Sequence, residues 1–161
     1  MTSNVQSQAS TPIVVLEATS IDHQFDGYVT QRLFVRLTDD GKVEWDEYVG
    51  NAWKRQTSSV TAERVSESQR ALDSIYKSPI HGTMGPYYMY VDTSTELKIH
   101  MTARREDVSF SVKNPWLPSI IPSRKPMPKD VKAVVCEIAR LRAQVANTPV
   151  NEMCLAPNKS R

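Results

Sequence analysis

Hydrophobic and polar residues alternate through the first third of the chain in a pattern that predicts a β-hairpin. A short β-branched run at residues 13–16 predicts a first strand. Residues 28–38 then place hydrophobic side chains on one side and polar or aromatic ones on the other, which is typical of a half-buried strand. Residues 39–42 (DDGK) predict a tight turn, because Asp-Gly supplies the positive-φ positions that a hairpin needs. The alternation resumes over residues 43–49 and completes the hairpin.

Two segments have the period of an amphipathic helix. Thr61 is a suitable N-cap for the first helix, which Pro79 ends. Pro128 suits the first position of the second helix, which runs to about Asn147. The hydrophobic stripe of this final helix is regular and consists of Val131, Val134, Val135, Ile138, Leu141 and Val145.

The region between the two helices predicts further strands. Residues 87–91 are aromatic and predict a short strand, and residues 97–103 and 108–112 alternate as the two arms of a second hairpin. Residues 114–128 contain five of the ten prolines in the chain, which predicts an extended and stiff crossing.

The order hairpin, helix, hairpin, helix predicts an α+β fold. We expect a two-layer sandwich, with a mainly antiparallel sheet of five or six strands and two helices on one face. A closed barrel with peripheral helices is the alternative. The length of 161 residues fits one domain, which we place at residues 12–147. A flexible leader, 1–11, precedes it, and a C-terminal tail, 148–161, follows it.

Charge and hydropathy narrow the possible partners. Twenty Lys and Arg against 18 Asp and Glu give a net charge of +2, which by itself implies neither nucleic acid nor a membrane surface. The sequence contains no run of about 18 apolar residues, so we expect no membrane span. Residues 113–161 carry nine basic and three acidic residues. We expect this excess of basic residues to form a solvated helix face rather than to bind an anionic partner.

Motifs for catalysis are missing from the sequence. It has no G-x-S-x-G, no H-E-x-x-H, no phosphate-binding loop and no G-x-G-x-x-G. We therefore expect no cofactor, no metal and no enzymatic activity, although a small hydrolase with an unrecognised site is an alternative. The pair at residues 39–40 is better explained as turn-forming than as metal-binding. Glu44 and Asp46 fit cross-strand partners of Arg32 and Arg36 better than an acid–base pair.

Strict alternation would leave aromatic and basic side chains on the sheet face that the helices do not cover. This candidate binding surface consists of Arg32, Phe34, Arg36, Tyr48, Tyr88, Tyr90, Lys98 and His100. Tyr, Phe and Arg are typical anchors of protein interfaces, and such a face also suits the stacking of single-stranded bases. Alternatively, the N-terminal segment or the proline-rich crossing covers it. The sequence favours a non-enzymatic binding module whose partner is another protein, with a single-stranded nucleic-acid binder as an alternative.

The two cysteines bear on the cellular compartment. Cys136 falls almost opposite the hydrophobic stripe of the final helix, and Cys154 lies in the tail. The nine residues from Val145 to Cys154 span up to ~30 Å, whereas the return to Cys136 needs only ~13 Å. A disulfide would imply an oxidising compartment, and hence an exported bacterial accessory protein whose signal peptide is absent from this chain. The alternative is two free thiols in a cytoplasmic protein.

Overall fold

The structure is a computed structural model that describes residues 9–24, 26–77, 80–87, 93–103, 106–116 and 127–155. Its strands are β1 (Val14–Gln24), β2 (Val29–Thr38), β3 (Lys42–Val49), β4 (Ala52–Ser59), β5 (Gly82–Met84), β6 (Thr93–Ala103) and β7 (Glu106–Lys113). Its helices are α1 (Ala62–Ala71), α2 (Asp73–Lys77) and α3 (Lys129–Ala146), with a short 3₁₀ helix at Glu152–Cys154.

The strands form one sheet in the order β4-β3-β2-β1-β6-β7-β5. Neighbouring strands are antiparallel except for β5, which is parallel to β7. The α+β class is therefore confirmed, but the prediction of five or six antiparallel strands is wrong, because the sheet is mixed and has seven. β4 escaped prediction because seven of its eight residues are exposed, so its sequence carries no hydrophobic alternation. β5 is only three residues long.

Both predicted hairpins are present. β2 pairs with β3 across the turn at residues 39–41, and β6 pairs with β7. The first turn requires Gly41, which has a φ of +88° and lies so close to β4 that a Cβ would stand 2.5 Å from the Val60 carbonyl oxygen. The strand predicted at residues 87–91 lies outside the described residues, apart from the buried Tyr87.

All three helices pack on one face of the sheet, and a single hydrophobic core joins them to it. The predicted stripe of α3 provides its centre, since Val131, Val134, Val135, Ile138 and Leu141 are fully buried. Thr61 caps α1 as predicted, accepting a hydrogen bond from the Arg64 amide at 3.2 Å. The single helix predicted before Pro79 is divided into α1 and α2 at the buried Leu72.

One buried ionic cluster fastens α1 to α3. Glu137, on α3, is only 5% exposed. Its carboxylate accepts a hydrogen bond from the Ser68 hydroxyl at 2.6 Å and lies 2.7 Å from Nη1 of Arg64. Because both partners belong to α1, this cluster fixes how the two helices lie against each other.

The C-terminal tail folds back onto α3. Asn147 ends the helix in the left-handed conformation, with φ 52°, and the chain then reverses. Cys136 and Cys154 come to disulfide distance, with 5.2 Å between their Cα atoms. The two cysteines are 3% and 5% exposed, because the tail covers the side of α3 that faces away from the sheet. The prediction that the tail can reach Cys136 is thus confirmed.

Candidate functional site

A polar row crosses the side of the sheet away from the helices, here called the outer face. Residues that pair directly across antiparallel strands point to the same side. The pairing places five side chains in one line from β3 to β7, namely Glu44, Arg36, Glu17, His100 and Ser109. Lys98 is exposed on the same face, opposite Thr19. Three predicted site residues, Arg36, Lys98 and His100, therefore share this face.

The cation in this row is neutralised by its neighbours. Arg36 donates from Nε to Glu17 at 2.5 Å and from Nη1 to Glu44 at 3.2 Å. Burial alone would lower the pKa of Arg36, but the hydrogen bonds and charges of the two carboxylates outweigh it and raise the pKa. Glu44 also contacts Lys42 at 3.2 Å, and this contact, more than that with Arg36, lowers the pKa of Glu44. Paired charges of this kind do not attract phosphate groups.

Among the described residues of the outer face, His100 and Ser109 form a pair that resembles part of a catalytic triad. The Ser109 hydroxyl lies 2.8 Å from His100 Nδ1. The carboxylate that would orient the ring, Asp107, is 3.9 Å from Nε2, which is too long for a hydrogen bond. A serine nucleophile needs its base to be oriented by a third group within hydrogen-bonding reach. The geometry therefore gives the hydrolase alternative little support.

A β-bulge at Phe34 changes which way β2 presents its side chains. Ala18 pairs with Val35, but the next residue of β1, Thr19, pairs with Leu33, so Phe34 is an extra residue in β2. Beyond the bulge the alternation is inverted. Leu33 turns to the outer face, where it is buried at 7% exposure, and its neighbour Arg32 turns to the helix side. The uniform alternation assumed from the sequence is therefore wrong for this strand.

Phe34 does not lie on the outer face. It is half-buried and packs against the core. Its ring centroid is 5.7 Å from that of Trp116, and it is 5.7 Å from the Arg142 guanidinium carbon on α3. Contact with α3 places Phe34 on the helix side, so it is not available as an anchor on the opposite surface.

Arg32 instead belongs to an aromatic cluster at one end of the sheet. Its guanidinium lies over the Trp53 ring, 3.8 Å from the centroid, and forms an ion pair with Asp22. The Trp53 ring is in turn 5.3 Å from that of Tyr48. Tyr48 and Trp53 are 58% and 47% exposed. We call Arg32, Tyr48 and Trp53 the aromatic end of the sheet.

The β3–β4 hairpin builds this end. Tyr48 pairs directly with Trp53, and the turn between them is formed by Gly50 and Asn51, both with positive φ. Sequence reasoning found Arg32 and Tyr48 but missed Trp53. The missed signal was the Gly-Asn turn between two aromatic residues, which would have paired them across a hairpin. The two remaining predicted site residues, Tyr88 and Tyr90, lie outside the described residues.

Two further observations bear on function. In the ranges that the structure describes, no three His, Cys, Asp or Glu side chains come together as metal ligands. None of the helices in the same ranges is long and apolar enough to cross a membrane. No protein-family model matches the sequence, and no curated protein is similar enough to it to count as a relative.

Proposed function

We propose that this chain is a non-enzymatic binding module that contacts a partner protein through the aromatic end of the sheet. The observation that carries the proposal is the stack of Arg32, Trp53 and Tyr48, which is exposed although each ring is held by its neighbour. Trp, Tyr and Arg are the residues most enriched in interface hot spots. Side chains already held in place lose little entropy on binding.

Exposed apolar residues at the same end extend this surface. Tyr28 directly precedes β2, Val29 begins it and Val49 ends β3; all three are more than 40% exposed. Tyr48 and Trp53 stand beside them in the order of the strands. Isolated exposed hydrophobic residues are ordinary, but several gathered at one end of a sheet favour a protein interface.

The charges around the aromatic end disfavour the nucleic-acid alternative. Arg32 is paired with Asp22, and Arg55 donates to Asp46 at 2.6 Å. Both arginines near the stacked rings thus already have a carboxylate partner, which would repel a phosphate backbone. Single-stranded binding combines stacking with free cations in a groove, and neither Arg32 nor Arg55 is free in this way.

The disulfide-distance cysteine pair supports export as the setting for this function. Disulfides persist in oxidising compartments, such as the bacterial periplasm, and are rare in the cytosol. We accordingly propose that the chain works as an exported accessory protein.

The proposal is tested by crosslinking followed by affinity measurement. A photoreactive amino acid replaces Tyr48 in one protein and Ile13 in a control, since Ile13 is 54% exposed at the opposite end of the sheet. In cells of the source organism, the Tyr48 position should give a discrete adduct with one protein that the Ile13 position does not give. The crosslinked protein is then purified, and its binding to the unmodified chain is measured.

Trp53→Ala should weaken this binding at least ~30-fold, as expected of a hot spot, whereas Ile13→Ala should leave it unchanged. Equal losses in the two variants, or the same adducts from both positions, would overturn the proposal. Salt-sensitive retention of oligothymidylate that depends on Trp53 would replace it with the nucleic-acid alternative.

A further inference from the structure

A cleft between the sheet, α3 and the tail is separate from the aromatic end. It has a volume of about 290 Å³. Phe34 and Trp116 form its aromatic wall, and its other apolar lining residues are Ala139 and Ala143 on α3 and Pro149 and Val150 on the tail. Arg142 is the one charged residue among its lining side chains. The cleft is at the small end of the range for ligand pockets and is mostly apolar with one cation.

Arg142 is poorly satisfied by the protein around it. Nη2 donates to the neutral Asp46 carbonyl oxygen at 3.0 Å, and the guanidinium lies 5.7 and 5.8 Å from the Phe34 and Trp45 rings. Its Nε is buried and has no hydrogen-bond partner among the described residues, and the same holds for the Trp45 indole nitrogen. A buried donor without a partner is costly, so two neighbouring ones call for an explanation.

No carboxylate in the described ranges lies within salt-bridge distance of Arg142. Burial is the main cause that lowers the pKa of Arg142; the charges of Glu47 and Asp46 raise it, that of Arg32 lowers it, and the net shift is downward. The Asp46 carboxylate is itself held by Arg55. An arginine remains charged even so, because its pKa is far above neutrality. Within the part of the chain that the structure describes, the cleft therefore presents a half-buried cation that no carboxylate pairs with.

We propose that this cleft binds a small carboxylate carrying a single aromatic ring. The ring would lie against Phe34 and Trp116, and the carboxylate would accept hydrogen bonds from the Arg142 guanidinium. A planar guanidinium is suited to a carboxylate, and desolvation by the surrounding rings strengthens the contact. The volume of the cleft, about 290 Å³, leaves room for one ring and a short acid chain.

The probe is 3-phenylpropionate, with 3-phenylpropanamide as its neutral counterpart. Each compound is added to the protein up to a concentration on the order of 10 mM at constant ionic strength, which suits a weakly bound small ligand. Binding is followed through the NMR signals of the side-chain N–H groups of the protein. The acid should shift the Arg142 Nε–H and the Trp116 indole N–H together along one saturating curve. The amide should bind at least ~10-fold more weakly. This comparison uses the unmodified protein, so it does not depend on a variant that folds.

Arg142→Met keeps the aliphatic stem and removes the charge, and it should reduce affinity for the acid at least ~10-fold. The matched control is Arg70→Met, which makes the same substitution at an exposed position of α1, away from the cleft, and should leave affinity unchanged. Equal binding of acid and amide, no saturating shift at Arg142, or equal loss in both variants would overturn the proposal.

Discussion

Removal of the crosslink between Cys136 and Cys154 should destabilise the protein by about 3 kcal/mol. The two residues are 18 positions apart. Closing a loop of this length restricts the unfolded chain by an entropy worth ~3 kcal/mol at 25 °C. The disulfide also stabilises packing in the folded state, since the two cysteines and Ala139 form a small buried cluster with the tail. Among the described residues, the contacts that would remain near the end of the tail are this cluster, the packing of Met153 on the core and an Arg140 hydrogen bond to the Cys154 carbonyl.

The loss is measured by urea unfolding followed by tryptophan fluorescence. We compare the oxidised protein, the same protein reduced with dithiothreitol, and the Cys136→Ala/Cys154→Ala variant. With a denaturant slope of about 2 kcal/mol per molar, the midpoint should fall by ~1.5 M urea in both crosslink-free samples. Cys154→Ala alone should show the same loss, because either substitution removes the whole link. Midpoints equal to that of the oxidised protein would refute the reasoning, as would two alkylatable thiols in the untreated folded protein.

Three other perturbations test the packing and the charges. Phe34→Ala should lower the free energy of unfolding by about 2 kcal/mol, because the half-buried ring packs on the core. A loss below ~0.5 kcal/mol in urea unfolding would show instead that the ring is solvated. Arg64→Met should lower the free energy of unfolding by ~3 kcal/mol, because it leaves the buried Glu137 without its cation. The double variant Arg64→Met/Glu137→Met should regain most of this stability, as measured by thermal unfolding. Burial raises the pKa of Asp46, but hydrogen bonds from Arg55 and a main-chain amide outweigh it and hold the pKa below the unfolded value near ~3.9. The contribution of Asp46 to stability is therefore complete above pH ~3.9 and is lost as the pH falls through the pKa of the folded state. Asp46→Asn should accordingly make the free energy of unfolding depend less on pH on the acid side, and an unchanged pH dependence would contradict this.

The elements that were predicted correctly from the sequence are those specified by residues close to one another in the chain. The stripe of α3 repeats with the helical period, and each of its first five residues is fully buried. The cap at Thr61 and the glycine turn at Gly41 depend on side-chain and backbone chemistry within a few residues. Such features can be read from one segment without knowledge of its neighbours.

The elements that were missed depend on distant partners. β4 is held by its pairing with β3 along its whole length, not by a hydrophobic side of its own. β1 was expected to end near Leu16 but continues to Gln24, because β2 and β6 pair with its polar half from either side. Hydrogen bonding between main chains leaves no periodic trace in the sequence of the strand.

The bulge at Phe34 explains why the candidate site moved as well. One extra residue in β2 inverts the side-chain direction beyond it. It turns Phe34 toward Arg142, which creates the aromatic wall of the cleft, and it turns Arg32 toward Trp53, which creates the aromatic end. Both candidate sites thus follow from one irregularity, which strict alternation could not have placed. Because bulges reorient side chains beside functional sites in many sheets, the position of this one favours binding chemistry at the cleft, where Phe34 faces α3.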